Sequence, residues 1–98
     1  MARLAIYRSR DGQLMVDCQA DTLRDIGTRI VAPLLPQSRV SQVLPRLHPA
    51  IEFEGEALLL VTHLLSAIPT RELGPAVGSL ADREYEVLNA LDMLLTGV

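Results

Sequence analysis

The chain has 98 residues, 49% of them hydrophobic and 21% charged, so it is expected to fold as one domain over residues 1–98, which excludes a multidomain architecture. Its net charge of −3 is too weak a bias for nucleic acid or membrane lipid to be the main partner, and the longest apolar run, Ala57 to Val61, falls far short of the ~20 residues that span a bilayer. Tyr7, Phe53 and Tyr85 are the only aromatic residues and there is no Trp, so the core must be built from aliphatic side chains, 18 of them Leu. All nine basic residues are Arg; residues 1–46 carry a net +3 and residues 47–98 a net −6, which suits solvated faces or opposed surfaces for a protein partner. The single Cys18 has no internal partner and Met1 leads into an alternating segment, so a reducing, cytoplasmic location is expected.

The first half reads as antiparallel strands. Leu4 to Tyr7 and Leu14 to Gln19 alternate with period two, with Leu14, Val16 and Cys18 on one face and Met15, Asp17 and Gln19 on the other. Between them Ser9-Arg10-Asp11-Gly12 makes a reversal, with Gly12 free to take positive φ. Arg29 to Leu34 is a third strand, whose Pro33 lacks a donor and so belongs at an edge, a bulge or the strand's end. Pro36, Pro45 and Pro49 punctuate a less regular stretch. A second hairpin turns at Glu54-Gly55, joining Ala50–Phe53 to a strand running from Glu56 to about Leu65; that strand is apolar on both faces and reads as the core strand. Glu52, Glu54 and Glu56 read as a solvated face. Residues 67–69 and 73–75 are short edge segments or turns. Ser79 and Asp82 suggest a capping box before a helix, on which Val87, Leu88, Leu91, Leu94, Leu95 and Val98 form one stripe while Arg83, Glu86, Asn89 and Asp92 face away. Gly97 unwinds the last turn and leaves an exposed apolar tail, a feature that suits an interface.

Little chemistry is on offer. His48, His63 and Cys18 lack the close spacings of a zinc site; His63 reads as a strand histidine and Cys18 as an inert thiol on the apolar face. The six Gly are scattered singly, so no phosphate loop exists. Asp17, Arg29 and His63 are the residues that a cofactor-free ribonuclease would need to bring together.

Taken in order, several strings resemble the CcdB family, toxins of type II toxin–antitoxin pairs: residues 16–21 (VDCQAD), 27–34 (GTRIVAPL), Leu47-His48-Pro49 leading into Phe53-Glu54-Gly55-Glu56, residues 66–69 (SAIP), and a closing helix with Arg83-Glu84, Asn89-Ala90 and Gly97-Val98. The resemblance implies a mostly β fold with a C-terminal α-helix: an SH3-like β-barrel of the CcdB/MazF type, a small accessory sheet, and a symmetric homodimer. It implies a non-enzymatic inhibitor that binds the DNA gyrase A subunit and traps the cleaved DNA, with no cofactor, metal, catalytic residue, membrane or direct nucleic-acid contact. A disordered segment of a cognate antitoxin would strip it from gyrase. The gyrase-facing set would be Thr22, Leu23, Asp92, Thr96, Gly97 and Val98; the antitoxin-facing set would be Arg8, Ser9, Arg10, Asp11 and Gly12.

Two departures stand out. The first hairpin is a few residues shorter than in well-known members. Thr96 stands where the gyrase-poisoning members carry a Trp that stacks on an arginine, a contact that contributes on the order of 0.5–2 kcal/mol beyond its area. Two other readings stay beside the first: a MazF/Kid-like endoribonuclease on the same barrel, and a non-toxic homologue that only binds antitoxin.

Overall fold

The computed structural model describes residues 3–98; Met1 and Ala2 of the expected domain lie outside them. Seven strands form one curled antiparallel sheet: β1 (Ala5–Arg8), β2 (Leu14–Asp17), β3 (Thr28–Leu35), β4 (Ala50–Phe53), β5 (Glu56–Leu60), β6 (Ser66–Pro69) and β7 (Ala76–Ser79), followed by the helix α1 (Glu84–Thr96). The strand order is β4-β5-β3-β2-β1-β7, with β6 paired to β3 beside that path.

Both expected hairpins form. Gly12 takes φ +91° and donates its N–H to Ser9 O at 3.0 Å; Glu54 and Gly55 take φ +53° and +79°, the left-handed pair that a two-residue hairpin loop requires. The long last strand does not form as expected. Strand β5 ends at Leu60, Thr62–Leu64 makes a 3₁₀ turn, and β6 follows, because β3 is shared in sequence by both: β6 along residues 28–31 and β5 along Leu34 and Leu35. Strand β3, which also pairs with β2, is therefore the central one, and Pro33 lies inside it. Its carbonyl accepts from Val61 N–H at 2.9 Å, so the missing donor faces the side where β5 breaks off into the turn that leads to β6, and no ladder bond is forfeited there. Strand β7, which follows the residues 73–75 read from sequence as a short edge segment or turn, completes the sheet against β1.

Both faces of β1 and β2 are buried. Leu4, Ile6, Leu14, Val16, Ala32, Leu34, Ile51, Leu58 and Leu60 pack under Leu80 and Val87, while Ala5, Tyr7, Met15, Val31 and Leu73 form a second cluster on the opposite face. A third, of Leu35, Leu59 and Val61, is covered by Val40 and Val43. The wide leucine stripe of α1 is only half used. Val87 and Ala90 are buried and Leu91 and Leu94 half-buried, but Leu88, Leu95 and Val98 stay exposed, because the sheet meets a narrower strip of the helix than the leucines occupy. The expected capping box of Ser79 and Asp82 does not form: Ser79 accepts from Ala81 N–H at 3.1 Å, two residues on, while Leu80 and Arg83 stand at the cap positions of the 3₁₀ turn Ala81–Arg83 and of α1 with no side-chain cap bond, and Arg83 turns inward to donate to Ala50 O at 2.9 Å.

The sheet curls until its two ends meet. Phe53 of β4 crosses to β7, where a Cβ at Gly78 would lie 2.6 Å from the ring and 3.3 Å from Ile6. Arg8 of β1 pairs with Glu54 beside it at 2.8 Å. The only Phe of the chain closes a half-barrel against a glycine. Gly78→Ala is expected to force the Phe53 ring out and to destabilise the fold by about 1–3 kcal/mol, the usual cost of overpacking, with a lowered urea midpoint as the measurement.

Candidate functional site

At the end of β2 the alternation places Asp17 on the second face, and the register Asp17↔Val31 sets it beside the start of β3, where Arg29 lies on the same face. Both side chains have no exposed surface and meet at 2.8 Å through Arg29 Nε and Asp17 Oδ2. The pair is built into the backbone: Asp17 Oδ1 accepts from Gln19 N–H at 3.0 Å, and Arg29 Nη2 donates to Gln19 O at 3.3 Å. Arg29 Nη1 is buried with no hydrogen-bond partner among the described residues, so the guanidinium is not fully compensated. Gln19 in turn joins Ile30 N–H to Leu23 O, and Arg29 Nη2 stands 3.8 Å from Asp21 at the head of the 3₁₀ segment Asp21–Ile26.

That segment carries Thr22 and Leu23, both exposed. Asp21 also accepts from Arg3 N–H at 2.7 Å, and Arg3 reaches Glu84 in the first turn of α1. Asp92, Thr96, Gly97 and Val98 lie toward the other end of the helix, whose 13 residues rise about 20 Å. All four are exposed. The six residues of the expected gyrase-facing set therefore form two groups at opposite ends of one helix. The tail is fixed: Thr96 Oγ1 donates to Asp92 O at 2.7 Å, Gly97 caps the helix at φ +81° with its N–H on Met93 O, and Arg46 donates to Val98 O at 3.3 Å. Arg8 to Gly12 lie at the tip of the first hairpin, exposed except for a half-buried Ser9. There the Ser9 hydroxyl donates to Asp11 and, with Gln13 N–H, holds that carboxyl below its usual range. Ser9 and Arg10 border an open groove of about 600 Å³ with Met15, Ile68, Arg71 and Glu72.

The histidines that sequence separation set apart are in fact partners. His48 Nδ1 accepts from Leu44 N–H at 3.1 Å, which leaves Nε2 as the protonated nitrogen, and it donates to His63 Nδ1 at 2.9 Å. His63 sits in the 3₁₀ turn, not in a strand, and Thr62 beside it donates to Leu47 O at 2.7 Å. These bonds hold the 44–48 loop to the barrel. Burial, with His63 adding to it, pushes the His48 imidazole below its usual range. The only sequence signal was two lone histidines, and nothing in their spacing of 15 shows that a loop folds one over the other.

The arrangement offers binding surfaces more than acid–base chemistry. Of the three residues that a ribonuclease would need together, Asp17 and Arg29 are sealed against each other and His63 is engaged with His48. The Cys18 thiol is pushed up to about 12 by burial and by the Asp17 charge, far from the thiolate that a nucleophile requires.

Comparison with known proteins places this geometry. The family model described as "CcdB protein" matches residues 3–97. The Mycobacterium tuberculosis toxin MazF-mt6 is similar in structure, with a TM-score of 0.74 at 17% identity over 90% of this chain and 92% of that one. An endoribonuclease in complex with its cognate antitoxin from a mycobacterial species gives a TM-score of 0.78 at 14% identity over 97% of this chain and 94% of that one. At these identities the likeness to the two structures is one of fold.

Two outcomes are expected of this region. Arg29→Met strands the Asp17 carboxylate in the interior and should lower the unfolding free energy by about 3–5 kcal/mol, while the double change with Asp17→Leu should recover most of the loss in urea melts. His48 binds its proton less readily in the folded chain than at the ordinary 6.5 of the unfolded one, so its stabilisation is complete above pH 6.5 and is lost as pH falls below it. A fall in urea midpoint below pH 6.5 that flattens in His48→Asn, whose Oδ1 can take the place of Nδ1, is the measurement.

Proposed function

Because the chain belongs to the CcdB family of toxin–antitoxin toxins, we propose that it acts in the cytoplasm as a non-enzymatic homodimer that binds the DNA gyrase A subunit and is released by a cognate antitoxin. The observation that carries the non-enzymatic reading is the zero exposure of both Asp17 and Arg29, which removes the carboxylate and the cation of the ribonuclease alternative from any contact with RNA and leaves only His63, tied to His48, at the surface. The bare leucines of α1 support a dimer, since Leu88 and Leu95, seven residues apart at 36% and 73% exposure, form a flank that a second copy would cover. The hairpin tip at Arg8–Gly12, with Arg10 and Arg71 on the adjoining groove, suits an acidic antitoxin segment. The fold shared with an endoribonuclease–antitoxin complex supports the antitoxin pairing and also keeps RNA cleavage as the second reading.

Thr96 tunes the proposed activity. Its hydroxyl is turned back onto Asp92 O, so the tail presents no aromatic surface where the gyrase-poisoning members carry Trp. Induction of the protein without antitoxin in a gyrase-bearing bacterium is expected to give weak accumulation of covalent gyrase–DNA complexes and no specific RNA cuts. Thr96→Trp is expected to raise the trapped complexes about tenfold, the worth of a stacked contact of about 1.4 kcal/mol. Specific RNA cuts would establish the ribonuclease reading in its place, and unchanged growth with both variants would leave only antitoxin binding.

A further inference from the structure

The segment Asp21–Ile26 has an unusual support. None of its six residues is buried, and Leu23 and Ile26 are 49% and 61% exposed, so apolar packing does not set its shape. Polar tethers do. Its head is held where Asp21 meets Arg3 N–H and Arg29, and its end where Gly27, at φ +85°, accepts from Thr70 N–H at 2.9 Å. Between these ends the backbone leaves helical geometry at Leu23, with φ −101° and ψ 19°, and this is the one carbonyl inside the segment that the sheet reaches.

The group that reaches it is the amide of Gln19, which is buried. Its Oε1 accepts from Ile30 N–H at 3.1 Å and its Nε2 donates to Leu23 O at 3.0 Å, so one side chain bolts the kink to β3. An aliphatic residue of the same length would fill the same space and release an amide from burial. What it would not do is fix the direction in which the Leu23 carbonyl, and with it the Thr22 and Leu23 side chains, point.

We infer that Gln19 is the positioning residue of the target-facing segment: it holds Thr22 and Leu23 in the geometry that the target protein meets, so that the segment does not have to be ordered on binding. This rests on the reading that Thr22 and Leu23 face gyrase A. Losing the Gln19 amide frees the Leu23 carbonyl and leaves Ile30 N–H of β3 without its acceptor, so the effect falls on the segment, on the start of β3 beside it and on the partner that the segment serves.

The test combines exchange and binding on the purified full chain. In the wild type the Gln19 side-chain amide protons are expected to exchange slowly and to show contacts to Leu23 by NMR; free exchange of those protons overturns the proposal without any variant. In Gln19→Met the amides of residues 21–26 and of Ile30, which loses its acceptor, should exchange faster while those of Val16 and Leu58 do not change, with about a tenfold weaker affinity for purified gyrase A and an unchanged affinity for the antitoxin segment. Leu23→Ser and Ile26→Ser, both at the surface, should weaken gyrase A binding with no change in urea midpoint. A Gln19→Met protein whose segment loosens but whose gyrase A affinity is unchanged overturns the positioning role. A wild type that does not bind gyrase A overturns the choice of target, and the exchange measurements then still decide whether Gln19 holds the segment.

Discussion

The structure depends on a pair of opposite charges held where there is no water. Bringing a carboxylate and a guanidinium to zero exposure costs several kcal/mol of desolvation each, and their attraction repays this only if the geometry is held. The strand ends supply that hold: the register of β2 against β3 puts Asp17 beside Arg29, and the Gln19 backbone binds both. A slip of β2 by one residue against β3 would turn Asp17 to the opposite face, toward Ala32 and Leu34, and leave the Arg29 guanidinium buried without its carboxylate. The pair thus acts first as a register lock for the central strand. Everything on either side of β3, including β5, β6 and the segment before it, inherits its position from that lock.

The second constraint is the shortage of aromatic side chains. A barrel of about this size needs bulk in its middle, and leucine and valine supply it on the face under α1. The closing contact falls to Phe53, and the only way to seat it is for β7 to carry no side chain at position 78. Closure by one ring against one glycine leaves the helix to cover the rest. It does so with Val87 and Ala90, the one branched and the other small, and with part of Leu91, while Leu88 and Leu95 remain in water. An exposed helix flank is thus a by-product of how the barrel closes.

The parts legible in the sequence are those that local chemistry decides. Gly12 and Glu54-Gly55 fix both hairpins through the sign of φ, and the 3.6-residue period fixes α1. What was misread depends on contacts between distant segments. Pro33 argues for an edge unless one knows that β5 and β6 divide that side of β3 between them. The leucine stripe shows which face of α1 is apolar, and how much of it the sheet touches depends on how the strands curl beneath it. His48 and His63 look unrelated until the 44–48 loop folds over the barrel. Asp17 and Arg29 were visible as charges in strands, but a strand pattern says only which face they share, and not that this face is sealed. Among the site residues, the tail and the hairpin tip were placed by resemblance to a family, whereas Gln19 carried no signal of its own, since its role lies in two bonds to main-chain atoms of other segments.

The two exposed groups at the ends of α1 also differ in how they are made. The segment near its start is a loop held open by polar tethers, whereas the tail is a helix end with its own cap: Gly97 turns left-handed, Thr96 closes on Asp92, and Arg46 takes the Val98 carbonyl. Neither is a free arm. A change of side chain at position 96 therefore alters what the tail can touch and leaves where it points unchanged. The absence of Trp from the composition, which first described an aliphatic core, becomes a statement about one exposed position whose backbone is already in place. About 12 Å of helix runs from Glu84, beside the first group, to Asp92, the nearest residue of the second. A partner that uses both must be long enough to follow the helix, or must take one group from each copy of a dimer, and in either case the rigidity of α1 fixes the spacing it has to match.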